Sequence, residues 1–297
     1  MITRFAPSPT GPLHLGHAYS ALLAHDMSMA EGGDFLLRIE DIDQTRARPE
    51  WEARIYEDLE WLGLWWPKPV MRQSERLDAY HERLQNLWKR QYLFRCTCSR
   101  RDVQEAASAP QEGGAPLIGP DGIIYPGTCR ENRSFAIGPR LPTDAALRLW
   151  MERAATMAGE IHENGKVISF TETGLGPDGE TGLIEFTAEE VIATIGDVVL
   201  ARRDMGTSYH LSVVLDDAAQ GITHVVRGAD LFEATKIHVI LQRLFRLPTP
   251  VYHHHRLIRD DNGKRLAKRD DARALSKYRA EGATPNDIRR LVGLPAA

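Results

Sequence analysis

The chain has 297 residues, 42% of them hydrophobic and 26% charged, with a formal net charge of −4. That length can bury a large core and suits one main domain with an insertion. The slight acidic balance excludes nucleic-acid binding driven by bulk charge alone, and no apolar run approaches the ~20 residues of a membrane-spanning helix. A cytoplasmic location with no membrane partner is the expectation.

In chain order, a short apolar strand ends at the Pro/Gly-bounded turn Ala6-Pro-Ser-Pro-Thr-Gly-Pro12. His14-Leu15-Gly16-His17 then opens a helix through Ala18, Leu22, Leu23 and Met27, stopping at Gly32-Gly33. A strand, a tight loop and a helix N-terminus make an anion site, because unpaired N–H groups and the helix dipole converge there. Two imidazoles three residues apart can donate to phosphate oxygens, and Gly16 leaves room for a flat base. Asp34 to Ile39 reads as a buried strand ending in the acidic turn Glu40-Asp41-Ile42-Asp43. Pro49 starts a helix with Trp51, Ile55, Leu59 and Leu62 inward, and Gly63 ends it. Ser74 is the expected cap of the next helix, whose inner face carries Leu77, Tyr80, Leu84 and Leu87.

Tyr92 to Cys98 reads as a strand, after which residues 107–128, rich in Gly, Pro, Ala and Ser, predict an irregular excursion. Regular pattern returns at Ala146 to Trp150, and residues 172–182 form a second Gly-rich loop. Val198 to Arg202 is a strand, Tyr209 to Ala219 a helix, Ile222 to Gly228 a strand with Arg227 near its C-terminal end, and Ala234 to Phe245 a helix. Tyr252 to Ile258 is the last strand, and Ser276 to Glu281 and Pro285 to Val292 are short helices. The alternation predicts a doubly wound parallel sheet with ligands at its carboxyl edge. A basic face runs through Arg256, Arg259, Lys264, Arg265, Lys268, Arg269, Arg273 and Lys277. Three cysteines, Cys96, Cys98 and Cys129, argue by their odd number for a metal or free thiols rather than a disulfide framework.

Phe5 to His17 resembles the first signature of class I aminoacyl-tRNA synthetases, in the form seen in glutamyl-tRNA synthetases. Gly263-Lys264-Arg265-Leu266-Ala267-Lys268-Arg269 resembles the second, with Arg265 and Ala267 departing from the usual lysine and serine. The resemblance implies a Rossmann-like catalytic domain that activates an amino acid with ATP and Mg²⁺. His14, Gly16, His17 and Lys268 would bind ATP, with His14, His17 and Lys268 stabilising the charge that develops on the phosphates. It also implies a glutamate site. Arg4 and Arg227 would hold the side-chain carboxylate, Tyr209 would add a hydroxyl, Glu40 would hold the ammonium, and Ser8 lies in the first signature. Val213 stands where an asparagine is common.

Three thiolates leave a tetrahedral zinc one ligand short. By resemblance to a shortened relative of glutamyl-tRNA synthetases, Tyr125 is the fourth ligand beside Cys96, Cys98 and Cys129. The implied organisation is a catalytic domain in two halves, 1–94 and 146–255, around a zinc-binding insertion, 95–145. A lysine-signature loop with a short helical region, 256–297, would follow. Only a short stretch follows Arg269, so no anticodon-binding domain is expected. In this the chain resembles glutamyl-queuosine tRNA(Asp) synthetases, stand-alone cores that attach glutamate to the queuosine base of that anticodon. The implied partners are queuosine-containing tRNA(Asp), L-glutamate and ATP, with one Zn²⁺, in a monomer. A glutamyl-tRNA synthetase charging the 3′ end of tRNA(Glu) would carry further domains. A non-enzymatic tRNA-binding paralogue would be expected to lose His14, His17 or Lys268.

Overall fold

The computed structural model describes residues 1–108, 116–130, 140–162, 165–259 and 273–296. In its first half, β1 (Ile2–Phe5), α1 (Leu15–Ala30), β2 (Asp34–Ile39) and α2 (Pro49–Trp61) alternate as expected, and a short strand that the sequence pattern does not mark, β3 (Met71–Arg72), comes after them. They are followed by α3 (Leu77–Lys89), β4 (Leu93–Cys96), α4 (Arg100–Ser108) and the small hairpin β5 (Ile118–Gly119) and β6 (Gly122–Ile123). Next come β7 (Ala146–Leu149), α5 (Met151–Ala158), β8 (Glu160–His162), β9 (Gly165–Glu172), β10 (Gly182–Thr187) and α6 (Ala188–Thr194). The rest is β11 (Val199–Ala201), α7 (Tyr209–Ala219), β12 (His224–Gly228), α8 (Phe232–Phe245), β13 (Val251–His255), α9 (Leu275–Ala280) and α10 (Pro285–Leu291).

The parallel pairing is β1 with β2, β2 with β3, β12 with β13 and β13 with β9. The two parallel groups abut where β1 meets the start of β12. The Thr223 N–H donates to the Ile2 carbonyl (3.0 Å), and the Ile2 N–H donates to Thr223 Oγ1 (2.8 Å). The chain leaves β1 toward β2 on one side and arrives at β12 on the other. This is a switch in strand order, where the loops at the carboxyl ends diverge and leave a crevice.

Four features differ from the sequence expectation. β4, β7 and β11 form a separate antiparallel sheet. The Gly-rich 172–182 loop joins the antiparallel hairpin β9–β10. The stretch expected to be irregular contains the end of α4 and the β5–β6 hairpin. Ser74 does not cap α3; it lies in a short 3₁₀ turn, and its N–H and hydroxyl donate to Asp41 (2.8 and 2.6 Å). A carboxylate from the acidic turn after β2 outcompetes the helix end for that hydroxyl, because a charge-assisted bond is the stronger one.

The predicted stop of α1 at Gly32-Gly33 has two causes. Gly32 takes φ +59°, and a Cβ on Gly33 would lie 1.7 Å from the Met1 carbonyl oxygen. One core packs α1 and α2 on β1 and β2 through Leu22, Phe35, Leu37, Ile55 and Leu59. A larger core joins α3, α5, α7 and α8 through Leu84, Leu149, Leu211, Ile237 and Tyr252. The buried pair Asp216 and Asp217 on α7 ties the cores together. Asp216 accepts from Gln73 (2.9 Å), Arg76 (2.6 Å) and Tyr80 (2.8 Å), and Asp217 accepts from Arg4 and Arg38.

Candidate active site

A cavity of about 360 Å³ opens at the switch between β1 and β12. Its wall includes Arg4, His14, Gly16, His17, Glu40, Tyr209 and Arg227. Seven residues selected from sequence thus meet at one place, although they span more than 200 positions. Ser8 lies in the β1–α1 loop, half-buried, but not on the cavity wall. Lys268, with Lys264, Arg265, Ala267 and Arg269, lies outside the described residues. The residues flanking that stretch are at the cavity: Ile258 lines it, and Ala274 pairs with His14 in an antiparallel bridge.

The two histidines build the start of α1. His14 is the N-cap, and its Nδ1 accepts from the Gly16 N–H (3.1 Å). His17 returns the interaction, its Nδ1 accepting from the His14 N–H (3.1 Å). This is a capping box made of imidazoles, with ring centroids 3.8 Å apart. An Nδ1 that accepts has no proton, so a neutral ring carries its proton on Nε2 as a donor. The Gly16 requirement is also local. A Cβ there would come 3.0 Å from the His14 ring, so glycine leaves room for the cap as well as for a ligand.

Two arginines on the cavity wall, Arg4 and Arg227, and a third buried behind it, Arg38, are of unequal state. Arg4 grips Asp217 through Nε (2.9 Å) and a terminal nitrogen (3.3 Å). Arg38, fully buried, donates to Asp217 (2.7 Å), Gln220 (2.9 Å) and Glu40 (3.2 Å). Arg227 instead meets neutral acceptors: His254 (3.1 Å), His238 (3.1 Å), Thr235 (2.5 Å) and the Leu231 carbonyl (3.3 Å). Among the described residues Arg227 has no carboxylate partner, and a buried cation in that state is costly until an anion enters, which is the character expected of a carboxylate site. Burial raises the Tyr209 hydroxyl above its ordinary range, so it stays protonated as a donor. Sequence reading missed Arg38, Asp217, His238 and His254. Charged residues inside otherwise apolar elements were the available signal: Arg38 in Phe-Leu-Leu-Arg-Ile, and Asp216-Asp217 in α7.

Burial also raises the Glu40 carboxyl above its usual range, and Arg38 and Arg4 offset this only in part. An ammonium needs the ionised form. Below the raised pKa Glu40 is neutral, so an ammonium that it held would be released as pH falls, from a higher pH than an ordinary carboxylate would give. For the amino acid site that the resemblance implies, the expected result is a KM for glutamate that climbs as pH falls, while Glu40→Gln gives a raised, flat profile. Persistence of the acid limb in Glu40→Gln would remove Glu40 from this role.

A second cluster lies at the base of the insertion. Cys96, at the end of β4, faces Cys98 and Cys129, and their sulfurs all lie within 4.8 Å of one another. Cys98 and Cys129 are 3.4 Å apart at sulfur, too far for a disulfide bond. The Tyr125 oxygen is 3.6 Å from both Cys96 and Cys98 sulfurs and accepts from the Cys129 N–H (2.7 Å). A tetrahedral ion with bonds near 2.3 Å to sulfur and 2.0 Å to oxygen separates its ligands by roughly 3.5–3.8 Å, so this donor set fits. Burial pushes the Cys129 thiol up, but hydrogen bonds from Tyr125 and Thr97 outweigh it and bring the pKa down to about 6. Among the described residues, these three cysteines are the one group arranged to hold a metal. The successive histidines 253–255 are not: His254 faces Glu172, while His255 meets Ser20 (2.6 Å).

Comparison with known proteins gives the family. The family described as tRNA synthetases class I (E and Q), catalytic domain, matches residues 1–116 and 171–295. The unmatched stretch between them holds Tyr125 and Cys129. A protein named glutamyl-Q tRNA(Asp) synthetase from Rhodobacter capsulatus is 65% identical over 294 residues, covering 99% of this chain and 100% of that protein. One of the same name from Geobacter sulfurreducens is 38% identical, covering 94% of this chain and 79% of that one. A solved glutamate tRNA ligase from Elizabethkingia meningosepticum, in complex with its amino acid, aligns at 27% identity with a TM-score of 0.72. It covers 98% of this chain, which spans 60% of that ligase.

Proposed function

Because this chain belongs to the class I tRNA synthetase family of the E and Q type, we propose that it is a ligase that activates L-glutamate with ATP. It then transfers the glutamyl group to the queuosine base in the anticodon of tRNA(Asp), as the name shared by its relatives describes. The observation that carries the substrate is the cavity with Arg227, which has no acidic partner among the described residues, at the rear and Glu40 and Tyr209 beside it. That set matches a side-chain carboxylate, an ammonium and a hydroxyl donor.

In the first step the glutamate α-carboxylate attacks the α-phosphorus of ATP, and pyrophosphate leaves. His14 and His17, with donors at the α1 N-terminus, would meet the phosphates, and Gly16 would admit the base. Lys268 would neutralise the leaving pyrophosphate, and Mg²⁺ enters with ATP. Arg4 completes the wall while staying paired to Asp217. Ser8 remains a candidate through the loop it belongs to. In the second step a nucleophile of the modified base attacks the acyl carbon and AMP leaves. Loop bases are read by unstacking them and holding their faces and edges, which suits an open crevice.

We further infer that the cysteine cluster takes one Zn²⁺, held by Cys96, Cys98, Tyr125 and Cys129. The ion would cross-link an insertion over 95–145 between catalytic halves 1–94 and 146–255, ahead of the 256–297 region. Among the described residues no helix is long and apolar enough to cross a membrane. We propose a monomer acting in the cytoplasm.

The test is transfer of radiolabelled glutamate to three acceptors. Queuosine-containing tRNA(Asp) should accept it, while unmodified tRNA(Asp) and tRNA(Glu) should not. The basic C-terminal face should make transfer weaken as salt rises. Equal labelling of unmodified tRNA(Asp), or a product lost on trimming the 3′-terminal adenosine, would reject the acceptor.

A further inference from the structure

The acceptors around Arg227 form a chain of imidazoles whose protons are placed by the arginine itself. A guanidinium only donates, so His238 Nδ1 and His254 Nε2, each 3.1 Å from Arg227, must both present lone pairs. His238 therefore carries its proton on Nε2 and donates to His210 Nδ1 (3.1 Å). The His210 Nε2–H then faces Asp121, on the β5–β6 turn, at 3.6 Å. His254 carries its proton on Nδ1 and donates to Glu172. Both rings are buried, 2% exposed for His238 and 1% for His254, and burial pushes each pKa down.

We propose that His238 and His254 are positioning residues for Arg227 that also set the choice of amino acid. They fix the guanidinium with neutral lone pairs, so its direction is set and its charge is not cancelled. Arg4 and Arg38, by contrast, are already paired with Asp217. A cation held this way is relieved by a carboxylate side chain and not by the carboxamide of glutamine. An acid at position 238 would satisfy the same donor geometry and abolish that preference. The inference rests on the reading that Arg227 receives the side-chain carboxylate of the substrate.

The experiment is ATP–pyrophosphate exchange driven by glutamate or glutamine, with KM for ATP measured alongside. His238→Gln keeps a neutral acceptor toward Arg227 and a donor toward His210, so KM for glutamate should stay within about 3-fold of wild type. His238→Glu should raise that KM by about 10²-fold, leave KM for ATP unchanged and lower the glutamate-over-glutamine ratio to a similar degree. His238→Leu removes the acceptor without adding charge. It should raise KM for glutamate by roughly 10-fold with the ratio kept, and it carries the test should the buried acid prevent folding. Matching behaviour of the Gln and Glu variants would overturn the proposal, as would a parallel rise in KM for ATP. Arg227→Gln separates the two levels. If it leaves KM for glutamate unchanged, the underlying reading of Arg227 fails. If it raises KM while His238→Glu and His238→Leu do not, the positioning role alone fails.

Discussion

Replacing His17 by alanine is expected to slow glutamate-dependent ATP–pyrophosphate exchange by about 10²–10³-fold, the scale for losing one transition-state donor. The same change removes the acceptor for the His14 N–H, so unfolding should become easier by about 0.5–2 kcal/mol, as for other lost caps. The two effects are separable. His17→Gln offers a side-chain oxygen to the His14 N–H, as glutamine does in ordinary capping boxes, and still carries an amide donor. It should restore stability fully and exchange only in part. Exchange at the wild-type rate in His17→Ala would show that the capping box serves only to start the helix.

Protein purified without added metal is expected to contain one zinc per chain, and Cys129→Ser to contain almost none. The effect should be large, because the binding energy of a structural zinc is folding energy, about 10–16 kcal/mol in small zinc modules. Here it would act locally. Among the described residues, Phe94, Cys96 and Tyr125 are the buried members of the apolar cluster beside the site, with Val103 and Trp150 partly buried against them, a small core for the insertion. Chelation should therefore open residues 96–130 to proteolysis while the two main cores keep their cooperative unfolding transition. Less than about half an equivalent of zinc, with three thiols freely titratable, would leave only the free-cysteine reading.

The parts of the site written in consecutive residues were legible in the sequence. His14, Gly16 and His17 mark a helix start and a candidate anion site within four positions, and Cys96 and Cys98 mark a candidate ligand pair within three. Tyr125 was reached only by resemblance, since a phenol is an unusual zinc ligand, yet its oxygen lies 3.6 Å from two of the sulfurs. What a local pattern does not carry is pairing across the fold. Nothing near Arg4 announces Asp217, and nothing near Arg227 announces that His238 and His254 supply its lone pairs. The hairpin β9–β10 was hidden for a different reason. Most of β10 faces solvent, with Phe186 buried and Ile184 half-buried, so its apolar alternation is only two residues long and stands out little. Helix α5, Met-Glu-Arg-Ala-Ala-Thr-Met-Ala, buries three alanines and one methionine, too little contrast for a helical stripe to stand out.

The junction between β1 and β12 has a consequence for how the protein is made. Ile2 hydrogen-bonds to Thr223, and Arg4 to Asp217, partners 221 and 213 positions apart. During synthesis β1 emerges before β12 and can pair with β2 almost at once, but its other edge waits for the strand that closes it. At about 5–20 residues per second, that wait lasts roughly 10–40 s. Throughout it the nascent chain presents an open strand edge, with Arg4 still lacking the carboxylate that will hold it. The cavity thus takes shape only once β12 is made, although the start of α1, on its wall, is translated about 200 residues earlier.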